Sequence, residues 1–501
     1  MKPLPPDTPE QALITQYKGS LLVVRAYAGT GKTTTLVKYA HNNLNSRILY
    51  IAYNRGIRDE AREKFPANVD CKTSHQLAYA TIGRSYQHKL TGNLRLTDIA
   101  QAVDTKNWTI AKDILDTLNA FMSSADFRIL YTHFARADTG KVLTTNQTQY
   151  ISQVIEGAEF VWSKMTNPED PFPTVHDCYL KQYQLGMPNL SRRYTTILFD
   201  EAQDSNPVTS SIVLQQHCKV ILVGDRHQQI YRFRGANNAL DSKDLAGSDQ
   251  LYLTQSWRFG RNVAIVANAL LELKGETLPV VGRGASDQVV MFLPRDVGHR
   301  TVIHRTVMGV IETALAATAE GKKVYWVGGI DAYQINELQD IYWYAMAAPD
   351  KVRNKKLLDD FQDYGEYQEV AKATKDPEMS RAIKIIGSYD SLPDLLTLLR
   401  LNTVKEEFGA DITVSTAHRC KGLEWDNVQL YDDFPDVLDP ELDIATRDDE
   451  INLLYVASTR AMRVLALNSA VEMVIRYITH KRLVEKQMKL AAEATEGGAT
   501  Q

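Results

Sequence analysis

The sequence predicts an α/β protein with parallel sheet, interrupted by two mainly helical insertions, and three observations predict it. Short apolar runs alternate with helical patterns: Leu21 to Val24, Arg47 to Ala52, Thr195 to Phe199, Val220 to Val223, Val302-Ile303, Val324 to Val327, Ile412 to Ser415 and Val464 to Leu467. The alternation lapses over 85–190 and 331–408, where helical spacing takes over. The first run passes through a small-residue turn into Lys32-Thr33, which opens a helical stretch. That is the layout of a phosphate-binding loop. Strand–helix alternation of this kind puts functional loops at the carboxyl ends of parallel strands.

At 501 residues the chain has room for two to four domains and ample core. Its 44% hydrophobic and 24% charged residues are ordinary for a soluble protein. A net charge of −4 announces no nucleic-acid binder, although net charge averages over faces and is compatible with a local basic groove. Cys71, Cys178, Cys218 and Cys420 are too scattered for a zinc or iron–sulfur pattern and read as reduced, buried thiols of a cytosolic protein. No apolar stretch is long enough to span a membrane, and Met1 to Asp7 hold no apolar signal core. A cytoplasmic location without membrane association is expected, or a nuclear one in a eukaryote.

Taken in order, Thr8-Pro9-Glu10-Gln11 precedes a short helix. Gln11 gains interest only by position, because a carboxamide can pair with N6–H and N7 of adenine. In Ala26 to Thr33, Gly29 and Gly31 let the backbone turn tightly so that its N–H groups face anionic oxygens. Lys32 is placed to reach β- and γ-phosphates and the Thr33 hydroxyl to sit on Mg²⁺. The general pattern has Gly where Ala26 stands. The second strand leads to Tyr53-Asn54-Arg55 and a charged helix to Phe65, and Cys71 to His75 lead into another. Over 85–190, Trp108, Ala111, Leu115, Leu118 and Met122 repeat at helical spacing, as do Ile151, Ile155, Ala158 and Trp162, and are expected to form the insertion's own core.

Asp200-Glu201-Ala202-Gln203-Asp204 follow the third strand. Two adjacent acids there ordinarily mark a solvated turn. Coupled to the loop at 26–33 they read as its partner, Asp200 for Mg²⁺ and Glu201 to accept a proton from the attacking water. After the next strand, Gln228 suits γ-phosphate sensing or water positioning. Tyr231, Phe233 and Arg234 interleave aromatics with a cation, which suits stacking on unpaired bases, while a core-facing Tyr/Phe pair is the plainer alternative. The acidic stretch Asp432 to Glu450 reads as a solvated loop, and Ala491 to Gln501 as a disordered tail.

The set resembles the superfamily 1A DNA helicases of the UvrD/Rep/PcrA type. The likeness lies in Thr8 to Gln11 (Q motif), Ala26 to Thr33 (motif I, where the family also carries Ala at position 26), Ala52 to Arg55 and Thr73 to His75 (Ia and Ic), and Asp200 to Asp204 (II). It continues through Gly224 to Gly235 (III), Leu253 to Arg258 (IV), Thr416 to Trp425 (V) and Tyr455 to Ala461 (VI). The chain more closely resembles the F-box DNA helicase branch, in Leu253 to Gly260, Lys421 to Asp426 with Asn427 to Leu430, and His176 to Lys181. No F-box is expected before Gln11, so a ubiquitin-ligase role is not implied.

The resemblance implies two RecA-like motor domains with parallel sheets. Its expected boundaries are 1–84 with 191–247, and 248–330 with 409–482. They carry insertions at 85–190 and 331–408, with a disordered tail at 483–501. It implies an ATP- and Mg²⁺-dependent 3′→5′ helicase or translocase on single-stranded DNA and its junctions with duplex. By family, Ala28, Gly29, Thr30, Gly31, Lys32, Thr33 and Thr34 cradle the nucleotide, Thr33 and Asp200 hold the metal, and Glu201 and Gln228 serve hydrolysis. Gln11 reads adenine, Trp257 stacks on it, Glu424 touches the ribose, and Arg258 and Arg460 act as arginine fingers. The single strand falls to Tyr53, Asn54, Arg55, Thr73, His75, Tyr231, Phe233, Arg234 and His418. The short second insertion makes unaided duplex unwinding a weaker expectation than translocation. The alternative is a DNA-stimulated sensing subunit of a larger complex with a protein partner of unknown identity. Few residues follow Arg460 and they hold no acidic cluster, so a fused nuclease is not expected.

Overall fold

The computed structural model describes residues 6–134, 144–232, 238–294, 297–374, 376–389 and 391–498. The chain divides into two compact units. The first comprises Met1–Ala26, Lys32–Leu253 and Asp340–Ser388, and the second Tyr27–Gly31, Thr254–Gln339 and Tyr389–Gln501.

The first unit is built on a six-stranded sheet in the spatial order Val69–Thr73, Ile48–Ala52, Thr196–Phe199, Lys219–Gly224, Leu21–Ala26, Asp249–Leu253, every pair parallel. Successive residues of a strand point to opposite faces. Val23, Leu49, Ile51, Ile197 and Leu222 therefore enter one apolar cluster. Val24, Leu22, Ile48, Tyr50 and Ile221 enter another. A sheet buried on both faces needs strands that are apolar throughout, and Ile48–Ala52 is buried at every position. Because all strands run the same way, residues 53–54, 74–75, 200–204 and 225–228 leave the sheet at one edge. The strand Val69–Thr73 was not anticipated: its alternating polar residues belong to an edge strand, partly exposed.

The insertion at 85–190 has its own core of Ala111, Ile114, Leu118, Phe121, Val154, Ala158 and Val161, with Trp108 and Trp162 packed against it, as the spacing predicts. Two buried lysines close its helices. Lys181 Nζ donates to the Ser124 carbonyl at 2.8 Å and to that of Asp126, and lies 4.5 Å from the Phe121 ring centre. Lys89 Nζ donates to the carbonyls of Lys164, Asn167 and Asp170 at 3.0, 2.7 and 3.0 Å. Both cations satisfy carbonyls in the last turn of a helix or just beyond its C-terminus.

The expected second insertion, 331–408, is not one body. Residues Asp340–Ser388 group with the first unit, where the Arg95 guanidinium reaches Asp360 at 3.2 Å. Helical periodicity marks the apolar face of such a segment but not the surface that covers it.

The second unit carries a seven-stranded sheet in the order Gln288–Val290, Ala461–Ala466, Trp425–Leu430, Arg300–His304, Ile412–Thr416, Val324–Trp326, Thr403–Val404, again all parallel. Two expectations are corrected here. The stretch Asp432 to Glu450 is not simply a solvated loop, because a helix, Ile444–Ser458, begins within it. Asp433 accepts from the Arg305 and Thr306 amides at 2.7 and 2.9 Å, and buried Glu450 takes the Arg305 guanidinium at 2.7 Å. The tail expected to be disordered from 483 is instead the continuation of a helix, Ser469–Gly498. Its Ala-, Glu- and Lys-rich composition suits a helix as well as a coil.

His304, at the end of its strand, is fully buried. Its Nε2 pairs with Thr313 Oγ1 at 2.7 Å, and burial lowers its pKa to about 4, against the pull of Asp433. Between pH 4 and the ordinary histidine value of 6.5 the unfolded chain binds the extra proton, so stability falls as pH drops through that window. At full effect this is on the order of 3 kcal/mol. Urea melts at pH 7 and pH 4.5 should show a larger loss for wild type than for His304→Asn.

Candidate active site

The first unit assembles four of the predicted residues at the sheet's carboxyl edge. The helix Lys32–His41 starts at the loop, so Lys32 and Thr33 sit in its first turn. Thr33 Oγ1 donates to Asp200 Oδ2 at 3.0 Å, and the Tyr50 hydroxyl donates to the same oxygen at 2.7 Å. The Glu201 amide donates to Asp200 Oδ1 at 2.9 Å, and Lys32 Nζ lies 3.6 Å from Glu201 Oε1. Burial, then the charge of Glu201, pushes the Asp200 carboxyl above its ordinary range, while Tyr50, Lys32 and the Glu201 amide pull it back. A divalent cation relieves that kind of strain, and an exposed-carboxylate turn would not show it. Magnesium keeps several waters and takes only one or two protein oxygens beside substrate phosphates. A hydroxyl and a carboxylate in contact therefore fit it, and among the described residues no cluster of three or more His, Cys, Asp or Glu ligands competes.

Glu201 has φ 50° and ψ 41°, the left-handed region. That conformation costs about 1–2 kcal/mol in an L-residue and is retained where surrounding contacts determine it. Gln228 is buried and its Nε2 donates to Asp225 Oδ2 at 2.7 Å. Gln11 is buried as well, and its Oε1 accepts the Thr8 amide at 3.2 Å in a capping box that starts the helix Pro9–Thr15. Thr34 follows in the helix Lys32–His41, partly buried.

Beside the acids, Tyr53, Asn54, His75 and Tyr231 line a cavity of about 490 Å³ that also reaches Asp200 and Glu201. The Tyr53 and Tyr231 rings stack at 5.6 Å and 15°. A basin of about 670 Å³ shares Tyr53, Asn54 and His75 and adds Arg55, Thr73, Arg58, Arg62 and Gln76. Asn54 and Thr73 also cap helices, accepting the Ile57 and Gln76 amides at 2.9 and 3.3 Å. Arg58, Arg62 and Gln76 were missed by sequence reasoning. The signal was present, since Arg55, Arg58 and Arg62 recur at helical spacing on one face. Asp177 was missed too: it holds His75 Nε2 at 2.9 Å. Burial raises the Asp177 carboxyl, but the hydrogen bond and charge of His75 outweigh it and leave it below the ordinary range. Phe233 and Arg234 lie outside the described residues.

The second unit holds the remaining predicted residues. Within it, the Ala28 amide donates to the Tyr455 hydroxyl at 3.1 Å, the Trp257 amide to the Gly29 carbonyl at 2.8 Å, and Thr30 Oγ1 to the Tyr27 carbonyl at 2.8 Å. Gly29 has φ +72°, and a Cβ there would stand 2.5 Å from Ser256 Oγ and 2.6 Å from Arg258 Cβ, so only glycine fits. Gly31 has φ +78°. Arg258 donates to Glu424 Oε2 at 2.7 Å and to the Thr459 carbonyl at 3.2 Å. Arg460 is buried, with donors on the Val456 and Leu423 carbonyls at 2.8 and 3.1 Å. The Trp257 side chain is half exposed, and His418 follows the strand Ile412–Thr416, partly buried.

Comparison with known proteins adds an independent finding. A model of the UvrD/REP helicase N-terminal domain matches residues 7–243, and one of the UvrD-like helicase C-terminal domain matches 251–472. The chain is 32% identical to F-box DNA helicase 1 of Gallus gallus over 93% of its own length and 49% of that protein's. To F-box DNA helicase protein 1 of Schizosaccharomyces pombe it is 32% identical, over 93% and 57%. To ATP-dependent DNA helicase PcrA of Leuconostoc citreum it is 26% identical, over 56% and 42%. It thus spans about half the length of the curated relatives it matches. Among the described residues no helix is long and apolar enough to cross a membrane.

Proposed function

Because the chain belongs to the UvrD-like DNA helicase family, we propose that it is an ATP hydrolase that moves 3′→5′ along single-stranded DNA and uses the motion to unwind duplex or displace bound protein. The observation that supports this reading is that Asp200 and Glu201, which meet Thr33 and Lys32, also line a cavity walled by Tyr53, His75 and Tyr231. One surface then serves both a triphosphate and an unpaired strand.

In this mechanism Lys32 and the amides of Gly29 to Thr34 offset phosphate charge, as a helix N-terminus also does. Thr33 and Asp200 would hold Mg²⁺, which would supply Lewis-acid stabilisation of phosphate charge. Glu201 takes the proton of the attacking water, and Gln228 senses the γ-phosphate. Arg258 and Arg460 stabilise the charge that develops on the transferred group. Gln11 and Trp257 recognise adenine and Glu424 the ribose. Tyr53, Tyr231, His75 and His418 stack on or contact bases, with Phe233 and Arg234 assigned by motif alone. Asn54, Arg55 and Thr73 serve the phosphate backbone.

Phosphate release measured with and without single-stranded DNA tests the motor, and 3′- against 5′-tailed duplexes test polarity and unaided unwinding. Strong stimulation by DNA is expected. Hydrolysis indifferent to DNA would favour a nucleotide-sensing subunit. Tyr53→Ala and Tyr231→Ala should each weaken single-strand binding by about 1–3 kcal/mol, the value of one base–aromatic stack. Arg62→Ala should reduce the slope of log affinity against log salt by about 0.7, one single-strand phosphate contact, while the tyrosine variants leave that slope unchanged. Fluorescence anisotropy over a salt series reads both.

A further inference from the structure

Glu201 is joined to the loop Asp225–Gln228 by hydrogen bonds that pass through one side chain. Gln203 is completely buried. Its Nε2 donates to Glu201 Oε2 at 2.6 Å and to Asp204 Oδ2 at 3.0 Å, and its Oε1 accepts the Asp225 amide at 3.0 Å. Both hydrogens of the amide nitrogen are therefore engaged, and the orientation of the carboxamide is unambiguous. Asp225 continues the path: its Oδ2 accepts from Gln228 Nε2 at 2.7 Å, and its Oδ1 accepts the His227 amide at 3.0 Å.

A second observation points to the same carboxamide. Gly224 ends the strand that precedes the loop, and it is not among the glycines with positive φ. Its backbone could be adopted by any residue. The room could not: a Cβ at 224 would stand 2.2 Å from Gln203 Oε1, 3.1 Å from Leu240 Cδ1 and 3.3 Å from the Ala202 amide nitrogen. Glycine is present at this position because the Gln203 side chain fills the space beside it.

We infer that Gln203 is a positioning residue that aims the Glu201 carboxylate and ties it to the Asp225–Gln228 loop, with Gly224 supplying the space. A carboxamide at this position neither ionises nor passes on a proton, so its contribution is orientation. The contact to Glu201 is short because the acceptor is charged. Glu201 is also held at Oε1 by Lys32 and by its own left-handed backbone, and Gln203 adds a hold at Oε2. The loop continues to Tyr231, which stacks on Tyr53 in the strand cavity. A nucleotide at Gln228 and a strand at Tyr231 then act on one segment, and Gln203 carries its position to the base. The inference rests on the hydrolase reading above.

Gln203→Met keeps the length of the side chain and removes its donors. Its kcat for ATP at saturating single-stranded DNA should fall about 10²-fold, the effect of misplacing a catalytic group by roughly an ångström. Affinity for a fluorescent ATP analogue and the KM for ATP should stay within about twofold of wild type, as expected when ground-state binding is untouched. Gly224→Ala should reproduce the loss by displacing the carboxamide. In a Gln203→Ala background, where the space is vacant, Gly224→Ala should add nothing further, the non-additivity of residues that share one contact. Thermal melts accompany each variant, and Gln203→Asn, which keeps the polar group but draws it back by one methylene, replaces Gln203→Met should the latter not fold. Wild-type kcat in a folded Gln203→Met or Gln203→Asn protein, or losses that multiply in the double variant, would overturn the linkage while leaving the motor in place. A wild-type protein that hydrolyses no ATP would remove the parent reading and this one with it.

Discussion

Glu201→Gln should lower DNA-stimulated ATP hydrolysis by about 10²–10⁴-fold, the contribution of a positioned general base. Glutamine matches glutamate in shape, so the left-handed backbone at 201 and the contact with Asp200 are retained. What is lost is the acceptor for the water's proton. Lys32 is 3.6 Å from the carboxylate and keeps its own charge in the variant, so nucleotide binding should change little. Steady-state phosphate release against equilibrium binding of a fluorescent ATP analogue separates the two effects. A variant that hydrolyses ATP at the wild-type rate would exclude Glu201 from the proton step. One that fails to bind nucleotide would show that its charge organises the site rather than the chemistry.

The arginines carry the other large effect. Arg460→Lys and Arg258→Lys should each reduce kcat by about 10³–10⁵-fold, as loss of an arginine finger does. Lysine keeps the charge but not the planar fork that serves several oxygens at once. Arg460 is buried on two main-chain carbonyls, so its replacement also risks stability, and a thermal melt must accompany the rate. Arg258 is the cleaner test, because Glu424 and the Thr459 carbonyl hold it at a more accessible position. Rates unchanged in folded Arg258→Lys protein would assign this residue to structure and leave transition-state charge to Arg460 alone.

The contrast between these residues shows how far local pattern reaches. Lys32 and Thr33 are legible because the small-residue turn, the strand before it and the helix after it are contiguous, and the backbone geometry that binds phosphate is itself local. Asp200 and Glu201 are legible as an acidic pair ending a strand. Arg58 and Arg62 escaped because a charged helix usually means a solvated face, and only the fold turns that face toward Tyr53 and His75. Gln203 escaped for a related reason. A glutamine between acids has no distinctive chemistry until it is buried against Asp225, which belongs to another loop.

By itself, then, the order of residues determined the nucleotide loop, its acidic partner, the alternation that makes parallel sheets, and the family, since each rests on chemistry encoded within a few adjacent positions. Tertiary structure decided the rest. It placed Thr33 on Asp200 across 167 positions of chain and gave the acids at 433 and 450 partners in Arg305 and Thr306. It packed Asp340–Ser388 into the first unit and continued the last helix to Gly498. Burial and pairing depend on which distant surfaces meet, and a charged or apolar stretch carries the capacity for contact without naming its partner.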